Sequence, residues 1–247
     1  MASDDSDLAT LHSGAVTLGI PLNEDQQRTF SCYRTLLLDW NKRINLTAIT
    51  DPAEILTHHF LDSLTCALPL SPAQRRAPLF LIDIGSGAGF PGLPLAIAFP
   101  TWQVCLLEAT GKKVHFLAAA IEALGLTNVS PLYGRAEEVA HLPRYRGSFD
   151  IATARAVASL PTLLEYCAPF VKPGGLMLLP KKGDLGEELA WGKRAAPQLG
   201  AFLGKVQPLP LLAGLDSGRV IVTARQQRPC PVQYPRAAGA PRKRPLH

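Results

Sequence analysis

Cysteine is scarce in this sequence and never closely paired. The 247 residues include five cysteines that lie tens of residues apart, and no C-x-x-C pair occurs. Because structural zinc sites and disulfide frameworks need closely spaced or matched cysteines, the sequence predicts neither of them and no metal site. We expect all five thiols to be reduced and buried: Cys32, Cys66, Cys105, Cys167 and Cys230.

Long apolar runs are missing as well. The longest stretches, such as residues 92–100, are about half of the roughly 20 residues that a membrane-spanning helix requires. The first residues are acidic, and no basic region followed by an apolar core suggests a secretory signal peptide. We therefore expect a soluble, cytoplasmic protein with no membrane partner.

Charged residues are also few, at 18% of the chain, whereas apolar residues make up 47%. This balance excludes a disordered chain, and the length excludes a miniature scaffold that needs disulfides for stability. The length predicts one or two domains with a substantial hydrophobic core.

Positive charge is concentrated at the C-terminal end. The chain has 25 basic and 20 acidic side chains, and residues 225–247 hold six of the basic ones and no acid. A proline-rich basic segment of this kind is either a solvated end or a contact for nucleic-acid phosphates, and composition alone favours the solvated end. The six basic residues are Arg225, Arg228, Arg236, Arg242, Lys243 and Arg244.

The character of the predicted elements changes at residue 79. Before it, apolar residues recur on one helical face from Phe30 to Trp40, and the pair Asp51-Pro52 predicts the capped start of a second helix. We divide the chain into four segments: an acidic N-terminal tail at 1–23, a helical region at 24–78, a core at 79–225 and a basic, proline-rich tail at 226–247.

In the core, short apolar strands alternate with amphipathic helices, a pattern typical of βαβ units and a parallel sheet. The last two strands are separated by a short turn and are expected to form an antiparallel hairpin. The predicted fold class is therefore α/β, with a mostly parallel seven-stranded sheet and an N-terminal helical extension. The predicted strands cover residues 79–84, 103–108, 128–133, 149–154, 176–180, 204–210 and 218–224, and the helices 92–98, 111–124, 136–141, 158–170 and 185–195.

A glycine-rich turn follows the first predicted strand. Between Asp83 and Phe90, the three residues Gly85, Gly87 and Gly89 stand at alternate positions, directly before a predicted helix. Glycines allow a positive φ and a close ligand approach, and a helix N-terminus offers free N–H groups to an anion. A dinucleotide fingerprint needs glycine or alanine where Phe90 stands. The G-x-G-x-G spacing after Asp83 instead resembles S-adenosylmethionine-dependent methyltransferases of the Rossmann-like class.

Three charged side chains follow the next predicted strands. Glu108 ends the second strand, where an acid can accept hydrogen bonds from both ribose hydroxyls of an adenosine. Glu137 follows the third strand and is either an acceptor for an adenine amine or an acid that stabilises a helix N-terminus. Arg155 follows the fourth strand at the edge where open α/β sheets bind ligands, which favours a functional role over a surface role.

Motifs spread along the chain occur together in one family. They are Trp40-Asn-Lys-Arg-Ile-Asn45-Leu-Thr47, His58-His59-Phe60-Leu61-Asp62, the glycine turn, Lys112-Lys113, Arg155-Ala156 and Tyr234-Pro-Arg236 in the tail. With them the sequence resembles the bacterial 16S ribosomal RNA guanine-N7 methyltransferases, also called the glucose-inhibited division protein B family. The resemblance runs from about residue 24 to the C-terminus and leaves residues 1–10 outside it.

This resemblance implies an activity, a cofactor and a partner. The family transfers a methyl group from S-adenosylmethionine, without a metal, to N7 of one guanine in small-subunit rRNA. We therefore expect 16S rRNA or a precursor particle as partner, and a monomeric enzyme. At Glu108 the sequence departs from many relatives, which have aspartate. The family's cofactor positions fall on Gly85, Phe90, Ala136, Glu137 and Arg155, and the general class adds Asp83, Gly87 and Glu108.

The implied chemistry is simple. Guanine N7 carries an exposed lone pair and needs no deprotonation, so alignment of the reacting atoms is sufficient. We predict no general base, and Arg155 is the one candidate for a catalytic role. The candidates for holding RNA phosphates are Arg155, Lys181, Lys182 and the basic tail.

Other functions fit less well. Amino-group methyltransferases carry Asn/Asp-Pro-Pro-Tyr/Phe after the fourth strand, where this chain has Ala154-Arg155-Ala156. Carbon-5 methylation needs a nucleophilic cysteine, but the one Pro-Cys pair lies in the tail, at Cys230. A small-molecule methyltransferase and a noncatalytic RNA-binding factor remain open. For His58, His59 and Asp62, helix packing is favoured over a place beside the RNA cleft.

Overall fold

The central sheet has the predicted class. In the computed structural model, which describes residues 2–155, 158–212 and 214–247, the described residues form one seven-stranded sheet in the order β3-β2-β1-β4-β5-β7-β6. All neighbouring strands from β3 to β5 are parallel, and β7 is antiparallel to both β5 and β6. The strands are β1 (Leu79–Ile84), β2 (Trp102–Glu108), β3 (Val129–Tyr133), β4 (Phe149–Thr153), β5 (Val171–Lys182), β6 (Ala201–Pro208) and β7 (Arg219–Gln226).

Helices cover both faces of this sheet. They are α1 (Ala2–Thr17), α2 (Glu24–Asn41), α3 (Pro52–Glu54), α4 (Asp62–Thr65), α5 (Pro72–Arg76), α6 (Gly92–Ala98), α7 (Gly111–Ala123), α8 (Ala136–Val139), α9 (Leu160–Cys167), α10 (Gly186–Gln198) and α11 (Ala240–Lys243), with a π-helical segment at Ile55–Leu61 and a 3₁₀ turn at Ala168–Phe170. Successive side chains of a strand point to opposite faces. Leu81 of β1 therefore joins one hydrophobic cluster with Phe30 and Phe60, whereas Ile82 joins the other with Leu163.

The helical region before the sheet begins with well-capped helices. Asn23 and Gln26 form a reciprocal capping box at the start of α2, whose Phe30 and Tyr33 are buried as the periodicity predicts. Asp51 accepts hydrogen bonds from two backbone N–H groups at the start of α3, which confirms the predicted cap. Between α3 and α4 the chain is π-helical, a local departure that the apolar spacing does not reveal.

Strand β5 is longer than predicted at its start. The run Lys172-Pro173-Gly174-Gly175 has the composition of a loop, but Val171 pairs with Phe149 of β4 and Leu176 pairs with Ile151. The register shift between these two pairs accommodates the extra residues, as a β-bulge does.

The two ends of the chain are packed against the fold. Residues 2–17 form α1, in which Leu11 and Ala15 are buried, so this part of the expected acidic tail is a packed helix. At the other end Pro241 and Leu246 are buried, and the expectation of a solvated C-terminal segment is wrong there. Neither end shows this in its composition, because a few spaced apolar residues are enough to hold a short segment. The assignment of four separate segments stays a prediction.

The cysteines mostly follow the prediction, since all five are free and four are buried, whereas Cys32 is exposed.

Among the described residues, every helix is too short or too polar to span a membrane.

Candidate functional site

The glycine turn adopts a backbone that only glycine accepts readily. Gly85, Gly87 and Gly89 have φ values of 71°, 60° and 96°. A Cβ atom at Gly89 would lie 2.8 Å from the hydroxyl of Tyr33, which donates a hydrogen bond to the carbonyl of Ala88. The glycines therefore determine the backbone conformation of the turn, and Tyr33 of helix α2 holds the turn in place.

Asp83 holds the end of the turn from inside the protein. The residue is fully buried, and its Oδ2 accepts a hydrogen bond of 2.9 Å from the N–H of Gly92, while Oδ1 has no partner in the described structure. Burial raises the pKa of Asp83 to about 7. The Gly92 N–H at the start of α6 is thus taken by Asp83 and not offered to an anion. A direct contact between Asp83 and a ligand stays a prediction.

Glu108 fastens the turn to the end of β2. Its Oε2 accepts from the N–H of Gly87 at 2.9 Å, and its Oε1 accepts from the N–H of Thr110 at 2.7 Å. A carboxylate offers about four lone-pair positions, so two acceptor positions remain for the hydroxyls of a bound ribose. The longer side chain of glutamate, compared with the aspartate of many relatives, therefore still fits the predicted role.

Four of the predicted cofactor residues line one cavity of about 180 Å³, which we call the first cavity. It lies at the carboxyl ends of β1 and β2, the edge at which open α/β sheets bind ligands. The four are Gly85, Glu108, Ala136 and Glu137, and the other lining residues include Leu107, Gly134, Arg135, Tyr166, Gly239 and Arg242.

Glu137 is held by groups that the sequence analysis did not include. It is 6% exposed, and its Oε1 accepts from the N–H of Gly239 at 2.9 Å and from the hydroxyl of Tyr166 at 3.4 Å. Burial, together with the neighbouring Glu137, raises the pKa of Tyr166 to about 12, so the phenol keeps its proton and donates. Glu137 also lies in the first turn of α8, as the interpretation of a helix N-terminal acid predicts. Its role as an acceptor for an adenine amine stays a prediction.

Arg155 and Phe90 lie on the other side of the turn, against the helical region. The guanidinium of Arg155 lies 5.1 Å from the ring centroid of Phe90, and its Nη1 donates to Asp62 Oδ2 at 2.8 Å. The ring of His59 stacks on Phe90 with centroids 4.4 Å apart. The His58–Asp62 motif thus fixes the helical region onto the sheet. Ala156, next to Arg155, lies outside the described residues.

Arg155, His59 and Asp62 border a cavity of about 400 Å³, which we call the second cavity. Asp62, 3% exposed, accepts from both Arg155 and Arg219. The Nε atom of Arg219 is buried and has no partner among the described residues. The second cavity combines buried basic groups with an unused donor, which suits an anionic or hydrogen-bonding ligand. Its charged and histidine lining residues are His58, His59, Asp62, Arg155, Lys181, Lys182 and Arg219.

His59 is a neutral hydrogen-bonding group in this arrangement. Burial and the nearby Arg155 lower the pKa of His59 to about 3. Because Arg155 Nη2 can only donate, the Nδ1 atom 3.3 Å away accepts, and the ring proton is assigned to Nε2, which lies 2.7 Å from Thr47 Oγ1. His59 is therefore not a proton donor to a substrate at neutral pH.

A third cavity, of about 570 Å³, is lined by Phe80, Cys105, Tyr145 and Phe149 among others, and it includes none of the predicted site residues. In residues 2–155, 158–212 and 214–247, no three histidine, cysteine or acidic side chains gather as metal ligands. The two cavities beside the glycine turn are therefore the candidate site.

Comparison with known proteins decides the family. The family model described as rRNA small subunit methyltransferase G matches residues 26–207. The chain belongs to this family. The ribosomal RNA small subunit methyltransferase G of Roseiflexus sp. (strain RS-1) is 45% identical over 229 residues, which cover 93% of this chain and 95% of the relative. The protein of the same name from Acetivibrio thermocellus is 42% identical and covers 96% of this chain and 95% of the relative.

Solved structures of other methyltransferases have the same fold as this member of the methyltransferase G family. A SAM-dependent methyltransferase from Aquifex aeolicus matches with a TM-score of 0.52 at 17% identity, covering 76% of this chain and 98% of the other. The 16S rRNA (adenine(1408)-N(1))-methyltransferase from Catenulisporales acidiphilia matches with a TM-score of 0.50 at 17% identity, covering 66% and 94%. At this identity the likeness concerns the fold alone.

Several residues of the site were missed from the sequence. Tyr166 and Gly239 contact Glu137. Arg219 is the second arginine that donates to Asp62. One signal was present, because Glu165 is the single charged residue in the apolar run 160–170 and a buried acid requires a partner. The arginine that pairs with it, Arg236, stands 71 positions further along, so the sequence does not name it.

Proposed function

We propose that this methyltransferase transfers a methyl group from S-adenosylmethionine to N7 of a guanine in 16S rRNA. The observation that carries the proposal is the glycine turn fastened to Glu108 at the carboxyl ends of β1 and β2, next to Ala136 and Glu137. The family to which the chain belongs and its fold support the same donor and the same kind of acceptor.

The first cavity is the proposed site for the adenosine part of the cofactor. Its volume of about 180 Å³ lies below the roughly 300 Å³ at which ligand cavities usually begin, so it takes only part of the molecule. Glu108 accepts from the ribose hydroxyls and Glu137 from the adenine amine. Gly85 and Gly87 let the backbone approach the ligand, and Asp83 positions the turn.

Phe90 and Arg155 are proposed to border the methionine end of the cofactor and the acceptor base. Arg155 lines the second cavity, where an unpaired base can enter from solvent, and Phe90 at the end of the glycine turn lies 5.1 Å from its guanidinium. Lys181, Lys182 and Arg219 supply positive charge for the adjoining phosphates. In this account Arg155 is a contact to cofactor and base, and no residue acts as a general base.

The reaction needs alignment more than proton transfer. When bound, the sulfonium supplies an activated methyl group. The N7 lone pair forms the new carbon–nitrogen bond as the carbon–sulfur bond breaks, and the positive charge passes to the purine ring. The chain's part is to hold the base in line with the methyl group and to keep the base in the orientation that exposes N7. The buried carboxylate of Asp62 lies close enough to Arg155 to fix its guanidinium during this step.

The remaining expectations are part of the same proposal. The enzyme acts as a monomer in the cytoplasm on 16S rRNA or on a small-subunit precursor. Its basic cavity and its lack of a membrane-spanning helix among the described residues are consistent with that setting.

The proposal is tested by measuring methyl transfer to RNA and mapping the modified position. The wild-type chain is incubated with methyl-labelled S-adenosylmethionine and unmodified small-subunit RNA or particles, and the RNA is then treated with borohydride and aniline. Label in the RNA and cleavage at one guanine are expected. Label in a small molecule would favour a small-molecule methyltransferase, and RNA binding without transfer would favour a noncatalytic factor. Either result would contradict the proposal.

A further inference from the structure

We propose that the C-terminal segment, residues 234–247, contributes residues 234–242 to the cofactor site and sets the affinity for S-adenosylmethionine through Glu137. Within it, Arg236 is a positioning residue that anchors the segment. This inference rests on the proposed function, because it takes the first cavity as the site of the adenosine.

The anchor is an ion pair between a buried acid and a partly exposed arginine. Glu165 of α9 has no exposed surface, and its two oxygens accept from Arg236 Nε at 2.9 Å and Nη2 at 2.7 Å. The backbone N–H of Arg236 donates to the same carboxylate at 2.9 Å. A forked arginine–carboxylate pair of this kind fixes both position and orientation.

Further contacts hold the chain on either side of the anchor. Arg146 donates to the carbonyl of Tyr234 at 2.9 Å, and the ring of His141 lies 2.9 Å from the carbonyl of Pro235. After the anchor, the hydroxyl of Thr162 donates to the carbonyl of Pro241 at 3.0 Å. The segment is thus held at both ends against the core.

The anchored segment places a hydrogen-bond donor at the cofactor site. Between Arg236 and Pro241, the N–H of Gly239 donates to Glu137 Oε1 at 2.9 Å, and Arg242 lines the first cavity. Gly239 has a φ of 79°, a backbone conformation that favours glycine. With one oxygen of Glu137 held in this way, the carboxylate is oriented toward the cavity, where it meets the adenine amine.

The same contacts argue against a phosphate-binding role for Arg236. Its guanidinium is occupied by Glu165 and by the carbonyl of Arg244, at 2.7 Å. With Nε and Nη2 engaged in this way, Arg236 serves to anchor the segment on the side of the methyl donor.

The test compares Arg236→Ala with Lys243→Ala, which removes the same charge from an exposed position of the same segment. Calorimetric titration measures the Kd for S-adenosylmethionine, steady-state kinetics the KM for RNA, and thermal unfolding the Tm. We expect Arg236→Ala to raise the cofactor Kd about tenfold, the scale of one charge-assisted hydrogen bond. Lys243→Ala leaves it within about twofold of wild type, as is usual for an exposed charge.

A structural role alone would lower the Tm without changing the Kd of the folded protein. The coupling to Glu137 provides a second readout: Arg236→Ala combined with Glu137→Gln weakens cofactor binding by less than the product of the two single effects. If Arg236→Ala does not fold, Thr162→Val replaces it. It removes the hydrogen bond to Pro241, together with the contact to the hydroxyl of Ser159, and raises the cofactor Kd by about two- to threefold.

The outcomes separate this inference from the proposed function. A wild-type chain that does not bind S-adenosylmethionine contradicts both. A wild-type chain that binds it, with a Kd unchanged in folded Arg236→Ala and in Thr162→Val, contradicts only the role of the C-terminal segment. Equal effects of Arg236→Ala and Lys243→Ala also contradict it, since they would indicate a general effect of charge.

Discussion

The first and second cavities lie on the two sides of one glycine turn but differ in the groups that the fold orients there. In the first, the carboxylates of Glu108 and Glu137 are oriented by backbone N–H groups. In the second, Arg155 and Arg219 are oriented by one buried carboxylate, Asp62. Carboxylates accept from the hydroxyls and amine of an adenosine, whereas arginines donate to phosphates and base edges. This contrast is the reason for proposing the methyl donor on one side and the RNA on the other.

The largest expected effect concerns the acid that joins the second cavity to the helical region. Asp62→Ala leaves Arg155 and Arg219, whose side chains are 15% and 18% exposed, without their shared partner. We expect a loss of about 3–5 kcal/mol in the free energy of unfolding. Asp39→Ala is the control, since Asp39 forms an exposed helix pair with Arg43 that is worth about 0.5 kcal/mol or less. Urea unfolding measures both. Equal losses in the two variants would mean that Asp62 does not hold the cavity together.

Asp83, the buried acid behind the glycine turn, should behave differently, because the effect of its burial outweighs the attraction of the nearby Arg155. Burial raises its pKa to about 7, so the folded state keeps a proton that the unfolded state releases near pH 4. Its contribution to stability is present below pH 4 and is lost as the pH rises through 7. Relative to Asp83→Asn, which keeps the acceptor for Gly92, the wild type should lose at most about 4 kcal/mol across that range.

The measurement is urea unfolding of both proteins at several pH values from 4 to 8. A difference between wild type and Asp83→Asn that does not change with pH would show that Asp83 is ionised throughout, and the account of the turn would need another positive group near it.

Glu108 should govern binding of the donor but not of the RNA. Glu108→Ala removes the ribose acceptor and releases the N–H of Gly87, so the Kd for S-adenosylmethionine should rise about 100-fold. Glu122→Ala, an exposed acid on α7, is the matched control. Calorimetry measures the cofactor and filter binding the RNA. A comparable loss of RNA affinity in Glu108→Ala would remove the division between the two cavities.

The smallest effect is expected at the rim of the second cavity. Lys182→Ala should weaken RNA binding about three- to tenfold and lower the salt dependence by about one phosphate contact. The Kd for the cofactor should stay unchanged. Lys193→Ala removes the same charge from an exposed position on α10. If both lysine variants weaken RNA binding equally, the attraction is due to overall charge and not to the cavity.

The first cavity was largely predictable from the sequence, whereas for the second the sequence indicated separate lining residues, such as Arg155, Lys181 and Lys182, but not how they pair. A strand, a glycine turn and an acid at the next strand end follow one another closely, so Gly85 and Glu108 were found from local pattern. Arg155 was found in the same way, but its partners were not. Asp62 comes from a helix 93 positions before it, and Arg219 lies 157 positions after Asp62. Contacts across such separations depend on packing, which periodicity does not encode.

The packed ends of the chain illustrate the same limit. Charge and proline content favoured a solvated C-terminal segment, but Arg236 pairs with Glu165 and Gly239 with Glu137. The composition of a segment indicates whether the segment tolerates exposure to water. It does not indicate which buried group the segment pairs with. The seven strands, by contrast, were predicted at their approximate positions along the chain, because short apolar runs indicate strands.

Hydrogen–deuterium exchange of the wild-type chain, with and without S-adenosylmethionine, tests the division of the site most directly. The account predicts slower exchange in three segments around the first cavity: residues 85–90, 107–111 and 134–137. Protection confined to residues 144–149, beside the third cavity, or slower exchange around Lys181 and Arg219 alone, would contradict it.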